Sequence, residues 1–302
     1  MKLFSLRILL VLSLLIGFGT VSSVGVEAAS GPENVKIQNW KGHNFTFLPL
    51  SAIQNPGYEI FTEEQGAQGF QGDRSVRIPY TSHVGKEVTI NNVVAAEVID
   101  KQQEYVVHMT VNDTGEKLVG HSMRGQLAGL VLTSDLINAR EQFLGKTVYP
   151  KFRELSGLYV PDAPMPAAVA LKIGSPVTVV DVYAGSQSQE PIWLVVSVDG
   201  QKAVLPITYS LTNSPIKTWE QDAPWKDALF MEDPRSSLGG SQAVWTQIET
   251  GNIENGMTKA QVHLSWGKPA RVDKNRSVWI YGTQKLTFDG DELHSIEALP
   301  RK

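Results

Sequence analysis

The sequence predicts a mainly β chain that closes with a C-terminal α+β domain, and three observations predict it. Short runs of Val, Ile, Thr, Tyr and Phe bounded by Gly, Asn, Asp and Pro fill residues 38–212, which is the vocabulary of strands and turns. Two stretches of that region match one another strand by strand. From residue 241 the apolar spacing changes to helix first and strands after. With 302 residues, 42% hydrophobic and 19% charged, the chain can build more than one core, and intrinsic disorder is excluded.

The N-terminus comes first in order. Lys2 and Arg7 precede the apolar run 8–16, and Val26 and Ala28 stand at the −3 and −1 positions of a cleavage site, so residues 1–28 read as a secretory signal peptide. No later stretch reaches the ~20 apolar residues of a spanning helix. The chain has no cysteine, which excludes disulfides, thiolate metal sites and a lipidated N-terminal cysteine. Of 27 basic and 31 acidic groups, cleavage removes Lys2, Arg7 and Glu27, leaving 25 and 30 and a net charge of −5. That balance offers no overall field for nucleic acid or an anionic membrane. The expected product is extracytoplasmic, periplasmic or secreted, soluble and not lipid-anchored.

Residues 38–133 form the first β module and 134–212 the second. The strand 192–198, the turn Asp199-Gly200 and the strand 201–205 predict a tight hairpin, because Asp-Gly supplies the positive φ angles such a turn requires. Residues 105–111, followed by 112–119, repeat that construction. Upstream, 85–93 matches 174–182 with Gly, Val and Thr in step, and 42–47 matches 145–150 from its glycine onward. An internal duplication is expected. About five short strands per copy with a long first loop resemble small SH3-like barrels more than one large sandwich. Between the copies Ser134 is expected to cap a helix from Asp135 to Leu144, with Gly145 just past its end.

Residues 213–240 read as a linker from their proline and glycine, although Trp219, Trp225 and Phe230 suggest that it packs on a neighbour. In 241–299, Ser241 caps a first helix and Thr258 with Gln261 forms a capping box for a second, which Gly267 and Pro269 close. Strands follow at 270–273, 277–281, 285–288 and 293–297. Two helices on a small antiparallel sheet is the natural packing for this order.

Gly256-Met257-Thr258-Lys259-Ala260-Gln261-Val262, then Trp266-Gly267-Lys268-Pro269, Trp279-Ile280-Tyr281-Gly282 and Leu286-Thr287-Phe288-Asp289-Gly290 resemble the BamE/SmpA/OmlA-like family of bacterial envelope domains. The resemblance covers residues 241–299. It implies an α+β fold and a role as an envelope interaction module, and this chain departs from the founding members in lacking their lipidation cysteine.

Chemistry-bearing patterns are few. Gly120-His121-Ser122-Met123-Arg124-Gly125 nearly reproduces a nucleophile elbow, but Arg124 stands where glycine is required, so a serine hydrolase centred on Ser122 is the weakest reading. The histidines at 43, 83, 108, 121, 263 and 294 show no metal-ligand spacing, and no phosphate-binding loop occurs. No catalytic set, metal or cofactor is expected, and His263 reads as an ordinary helix residue. Aromatic side chains remain as binding candidates: Tyr183 and Trp193 in the second β module, and Trp266, Trp279 and Tyr281 at family-like positions. The expected function is a non-catalytic envelope protein that binds or scaffolds a protein partner, with a cell-wall polymer as the alternative ligand.

Overall fold

The computed structural model describes residues 32–50, 57–64, 78–99, 101–122, 124–158, 166–214, 218–220 and 222–300. The signal-peptide reading of residues 1–28 lies outside them, as does most of the Gln- and Gly-rich stretch after Glu64. Among the described residues the protein is mainly β, with three antiparallel sheets and a few short helices, none long and apolar enough to cross a membrane.

The first sheet contains β1 (Asn44–Phe47), β2 (Ile60–Thr62), β3 (Glu87–Ile99), β4 (Gln102–Val111), β5 (Lys117–His121) and β6 (Leu130–Leu132), in the order β2-β5-β4-β3-β1-β6. The second contains β7 (Thr147–Pro150), β8 (Glu154–Gly157), β9 (Ala168–Ala170), β10 (Val177–Ala184), β11 (Ile192–Val198), β12 (Gln201–Ile207) and β13 (Leu229–Phe230). Its order is β13-β7-β10-β11-β12-β8-β9. Without β9, the second sheet repeats the first, with β8, β12, β11, β10, β7 and β13 in the places of β2, β5, β4, β3, β1 and β6.

The register repeats as well. Asn44 faces Thr89 and Phe45 faces Val88; Thr147 faces Thr178 and Val148 faces Val177. Each central strand pair shifts register at the same place, between Ile90 and Asn92 and between Val179 and Asp181. Gly42 N–H donates to Ile90 O as Gly145 N–H donates to Val179 O, and Leu48 N–H donates to Gly129 O as Lys151 N–H donates to Ala228 O. Gly42 and Gly145 sit at φ +87° and +74°, a conformation that disfavours side chains, which accounts for glycine at both positions. At the second hairpin turn Asp199 and Gly200 have φ +47° and +83°, the two positive angles of a tight primed turn.

Each unit has a core, and the second also takes in Leu48 and Val131 from the first. Trp40, Phe45, Phe47, Ile90 and Met109 fill the first, and Phe143, Val148, Val179, Leu194, Leu205 and Leu229 the second. Helix α1 (Tyr80–His83) precedes β3, and α2 (Thr133–Phe143) joins the units. Ser134 does not cap α2. Its N-cap is Leu132, the last residue of β6, so the strand runs straight into the helix; Thr133 Oγ1 bonds Thr46 Oγ1 instead. At the other end of α2, Phe143 meets Trp225 and Tyr209 edge-on at 5.3 and 6.4 Å.

Residues 213–240 do more than connect. Phe230 pairs with Tyr149 and Leu229 with Pro150 as the terminal strand of the second sheet, and Trp225, Ala228 and Leu229 enter its core. Two residues are too short a run to be read as a strand from sequence; the partner strand β7 defines it. Asn213, at the segment's start, accepts from Leu127 N–H and donates to the carbonyls of Leu127 and Leu130, tying it to the first unit.

The C-terminal module follows α3 (Pro234–Leu238). Helices α4 (Gln242–Thr250) and α5 (Lys259–Trp266) pack on a four-stranded meander of β14 (Arg271–Val272), β15 (Val278–Tyr281), β16 (Gln284–Asp289) and β17 (Glu292–Ala298). Ser241 caps α4, and Thr258 with Gln261 forms a complete capping box on α5. Thr258→Ala is expected to cost about 1 kcal/mol, because the Gln261 amide loses its acceptor. A matching fall in the urea midpoint checks this.

The module is bolted to the second unit. Ile173, from the loop before β10, enters its core. Arg153, just before β8, donates to the carbonyls of Ile248, Glu249 and Ser265, at the C-terminal turns of α4 and α5. Arg235 links the Gly174 carbonyl to the Glu249 carboxylate.

Candidate functional site

The aromatic candidates separate into two places. Tyr183 and Trp193 face each other across β10 and β11 with ring centroids 6.0 Å apart, half-buried and edge to face. Trp193 rests on Gly185, where an added Cβ would lie 2.1 Å from Nε1, and that Nε1 is buried with no acceptor among the described residues. Trp266, Trp279 and Tyr281 cluster in the C-terminal module. Two of these three hold local structure: Trp266 Nε1 donates to Gly251 O, and Tyr281 Oη donates to Gly267 O. Burial pushes the Tyr281 phenol above its usual range.

Trp279 is different, because it forms the back wall of a cleft of about 440 Å3 between the second β unit and the C-terminal module. Lys151 follows β7, Trp219 and Glu220 belong to the connecting segment, and Phe230 is on β13. Lys259 and His263 are on α5, and Arg276 is in the β14–β15 turn. Asp227 fixes the connecting segment by accepting from the successive amides of Trp219 and Glu220. Trp219 then stacks on His263 at 4.6 Å, meets Trp279 edge-on at 5.5 Å and carries the Arg276 guanidinium 4.6 Å over its ring. The result is a layered guanidinium–indole–imidazole stack.

Two ring nitrogens in this wall, Trp279 Nε1 and His263 Nε2, are buried without a hydrogen-bond partner among the described residues. Burial, aided by Lys151, lowers the His263 pKa from 6.5 to about 4, so the imidazole is neutral at pH 7. Between those values the unfolded chain holds a proton that the folded chain does not. The His263 contribution to stability is therefore complete above about pH 6.5 and is lost as pH falls toward 4. His263→Gln is expected to lose less stability than the parent between pH 7 and pH 4.5, as read by urea midpoints at both.

Ser122 is fully buried. Its hydroxyl donates to Glu104 Oε2 and accepts from the Tyr105 amide, while Glu104 also accepts from Arg124 N–H. Arg124 has φ +59°, so the Ser-x-Arg-Gly string forms a turn clamped by a buried carboxylate. Among the described residues no group of three or more His, Asp or Glu side chains could hold a metal ion.

No family model, curated protein or solved structure matches this chain. The cleft's own geometry is what bears on function. Sequence reading singled out Trp279, set His263 aside as an ordinary helix residue and gave no role to Lys151, Lys259 or Arg276, and it placed Trp219 only as a packing residue. With Trp279 these side chains come from five segments between residues 151 and 279, so no spacing could join them. The signal that pointed nearest was the run of aromatic residues inside a Pro-rich connector.

Proposed function

We propose that this is an exported, non-catalytic binding protein of the bacterial envelope, and that a protein partner seats in the cleft between the second β unit and the C-terminal module. The observation that carries the reading is the guanidinium–indole–imidazole stack, beside which Lys151, Lys259 and Arg276 converge with no ion pair among the described residues. Convergent cations over rings are the anchors of a recognition surface. The signal-like N-terminus supports export, and the likeness of residues 241–299 to BamE-like domains supports an envelope interaction role. The matched topology and register of the two sheets support a duplicated, SH3-like β module. The Glu104 clamp on Ser122 weighs against a hydrolase centred there.

A photo-crosslinking amino acid at Glu220, on the exposed rim, tests the reading in cells that make the protein. A discrete adduct at Glu220 and none at the remote Lys202 is the expected result. Equal labelling at both, or none at Glu220, overturns it. A cell-wall polymer on the Tyr183–Trp193 pair is the second reading, favoured by a Trp193 Nε1 without an acceptor among the described residues and the ring's seat on Gly185. Pelleting of the full chain with purified sacculi, lost in Trp193→Ala, is the outcome it requires.

A further inference from the structure

A second cleft of equal size, about 440 Å3, adjoins the first and shares Lys151, Glu220 and Phe230 with it. Together they form a trough along β13, the terminal strand of its sheet. Four cations line it, and each lies over an aromatic ring. Lys151 Nζ is 4.1 Å from the centroid of Phe230, Lys226 Nζ 5.8 Å from Trp225 and Lys259 Nζ 5.4 Å from Phe288, alongside the Arg276–Trp219 pair. None of the four makes an ion pair among the described residues, although Glu220, Glu232 and Asp291 also line the trough. The four cations exceed these three carboxylates by one, in a chain of net charge −4, and Lys259 Nζ also donates to Gly290 O.

We propose that the trough takes an extended acidic peptide, its carboxylates meeting Lys151, Lys226, Lys259 and Arg276 and its apolar side chains lying against Trp219 and Trp225. The inference rests on the binding reading above and names the ligand class. Two joined cells suit a chain more than a compact molecule. The rings between the cations call for apolar side chains, which a polyol-phosphate polymer lacks, so the aromatic lining favours a peptide over a wall polyanion. Burial lowers the Lys151 pKa while Asp227 and Glu220 raise it, and a bound carboxylate would favour its charged form in the same way.

Fluorescence anisotropy of the full chain with three labelled peptides of equal length tests this. One interleaves Asp and Phe, one Asp and Gly, and one Lys and Phe. The Asp/Phe peptide is expected to bind at least about tenfold more tightly than either other, and to weaken as salt rises from about 0.05 to about 0.5 M. Lys151→Gln with Lys259→Gln is expected to lower its affinity about tenfold, and Arg276→Asn, which suits the turn's positive φ, by roughly threefold. Equal binding of Asp/Phe and Lys/Phe, equal binding of Asp/Phe and Asp/Gly, or affinity untouched by the charge-removing variants overturns the proposal. Displacement of the Asp/Phe peptide by a polyol-phosphate polymer of equal charge, as efficient as by unlabelled peptide, assigns a polyanion site and overturns it too. An adduct at Glu220 without any Asp/Phe binding leaves the partner site standing and removes only the acidic-peptide assignment.

Discussion

Arg153→Met is expected to lower stability by about 3–5 kcal/mol and to free the C-terminal module for proteolysis. The guanidinium donates to three carbonyls, those of Ile248, Glu249 and Ser265, which close two different helices. Carbonyls at a helix C-terminus lack the i+4 amide partner of the interior; Ile248 O takes one bond from the Gly251 N–H at the C-cap, and Arg153 adds donors to all three from another module. Methionine keeps much of the volume but no donor, so three acceptors lose their charge-assisted bonds at about 1–3 kcal/mol each, partly recovered by water. Burial already lowers the Arg153 pKa, so its charge is held at a cost that the three acceptors offset. Urea unfolding with limited proteolysis reads the effect. An unchanged midpoint and fragment pattern would mean that Ile173 and the Arg235–Glu249 link hold the module alone. Arg153→Lys, which keeps the charge but not the planar fork that spans the three carbonyls, should fall between. Peptide binding in the trough should fall with Arg153→Met, because Lys151 and Lys259 stand on opposite sides of this junction.

Asp135→Asn is expected to flatten a pH slope that the parent protein carries between pH 4 and pH 7. Asp135, near the start of α2, is 4% exposed and accepts from Ser210 Oγ at 2.6 Å. Burial, with Glu33 adding repulsion against the Ser210 bond, raises its carboxyl from 3.8 to about 7. Across that interval the folded chain keeps a proton that the unfolded chain releases. Its contribution is therefore complete below about pH 4 and declines as pH rises to 7, by on the order of 2–4 kcal/mol. The loss falls on a clasp where Val35 N–H donates to Thr212 Oγ1, Thr212 Oγ1 donates to Glu33 O, and Leu211 N–H donates to Asn34 Oδ1. Stability of the parent minus that of Asp135→Asn, measured from pH 4 to pH 8, isolates this group from His263, which acts in the opposite sense. A difference curve without slope would show that the carboxyl is ionised throughout.

Local chemistry was legible in the sequence. Asp199-Gly200 sets its own hairpin because two positive φ angles are the property of those two residues, and Thr258 with Gln261 caps α5 within four residues. The mainly β character and the helix-then-strand order after residue 241 follow from side-chain periodicity. Ser134 failed as a cap because a neighbour overrode a local preference: Leu132 is held in β6 by Phe45, so the helix starts two residues earlier than capping chemistry suggests. Likewise Leu229 and Phe230 become a strand only because Tyr149 and Pro150 lie beside them.

The candidate site belongs wholly to this second kind. Composition established a net acidic chain without cysteine, and pattern established strands, turns and caps, since each depends on residues a few positions apart. Which cations would line the cleft without an ion pair among the described residues, which indole would lie on His263, and which ring nitrogens would be buried there without a described partner depended on how the second sheet and the C-terminal module dock. That docking runs through Arg153, Ile173 and Arg235, long-range contacts whose energies arise only once distant segments exclude water together.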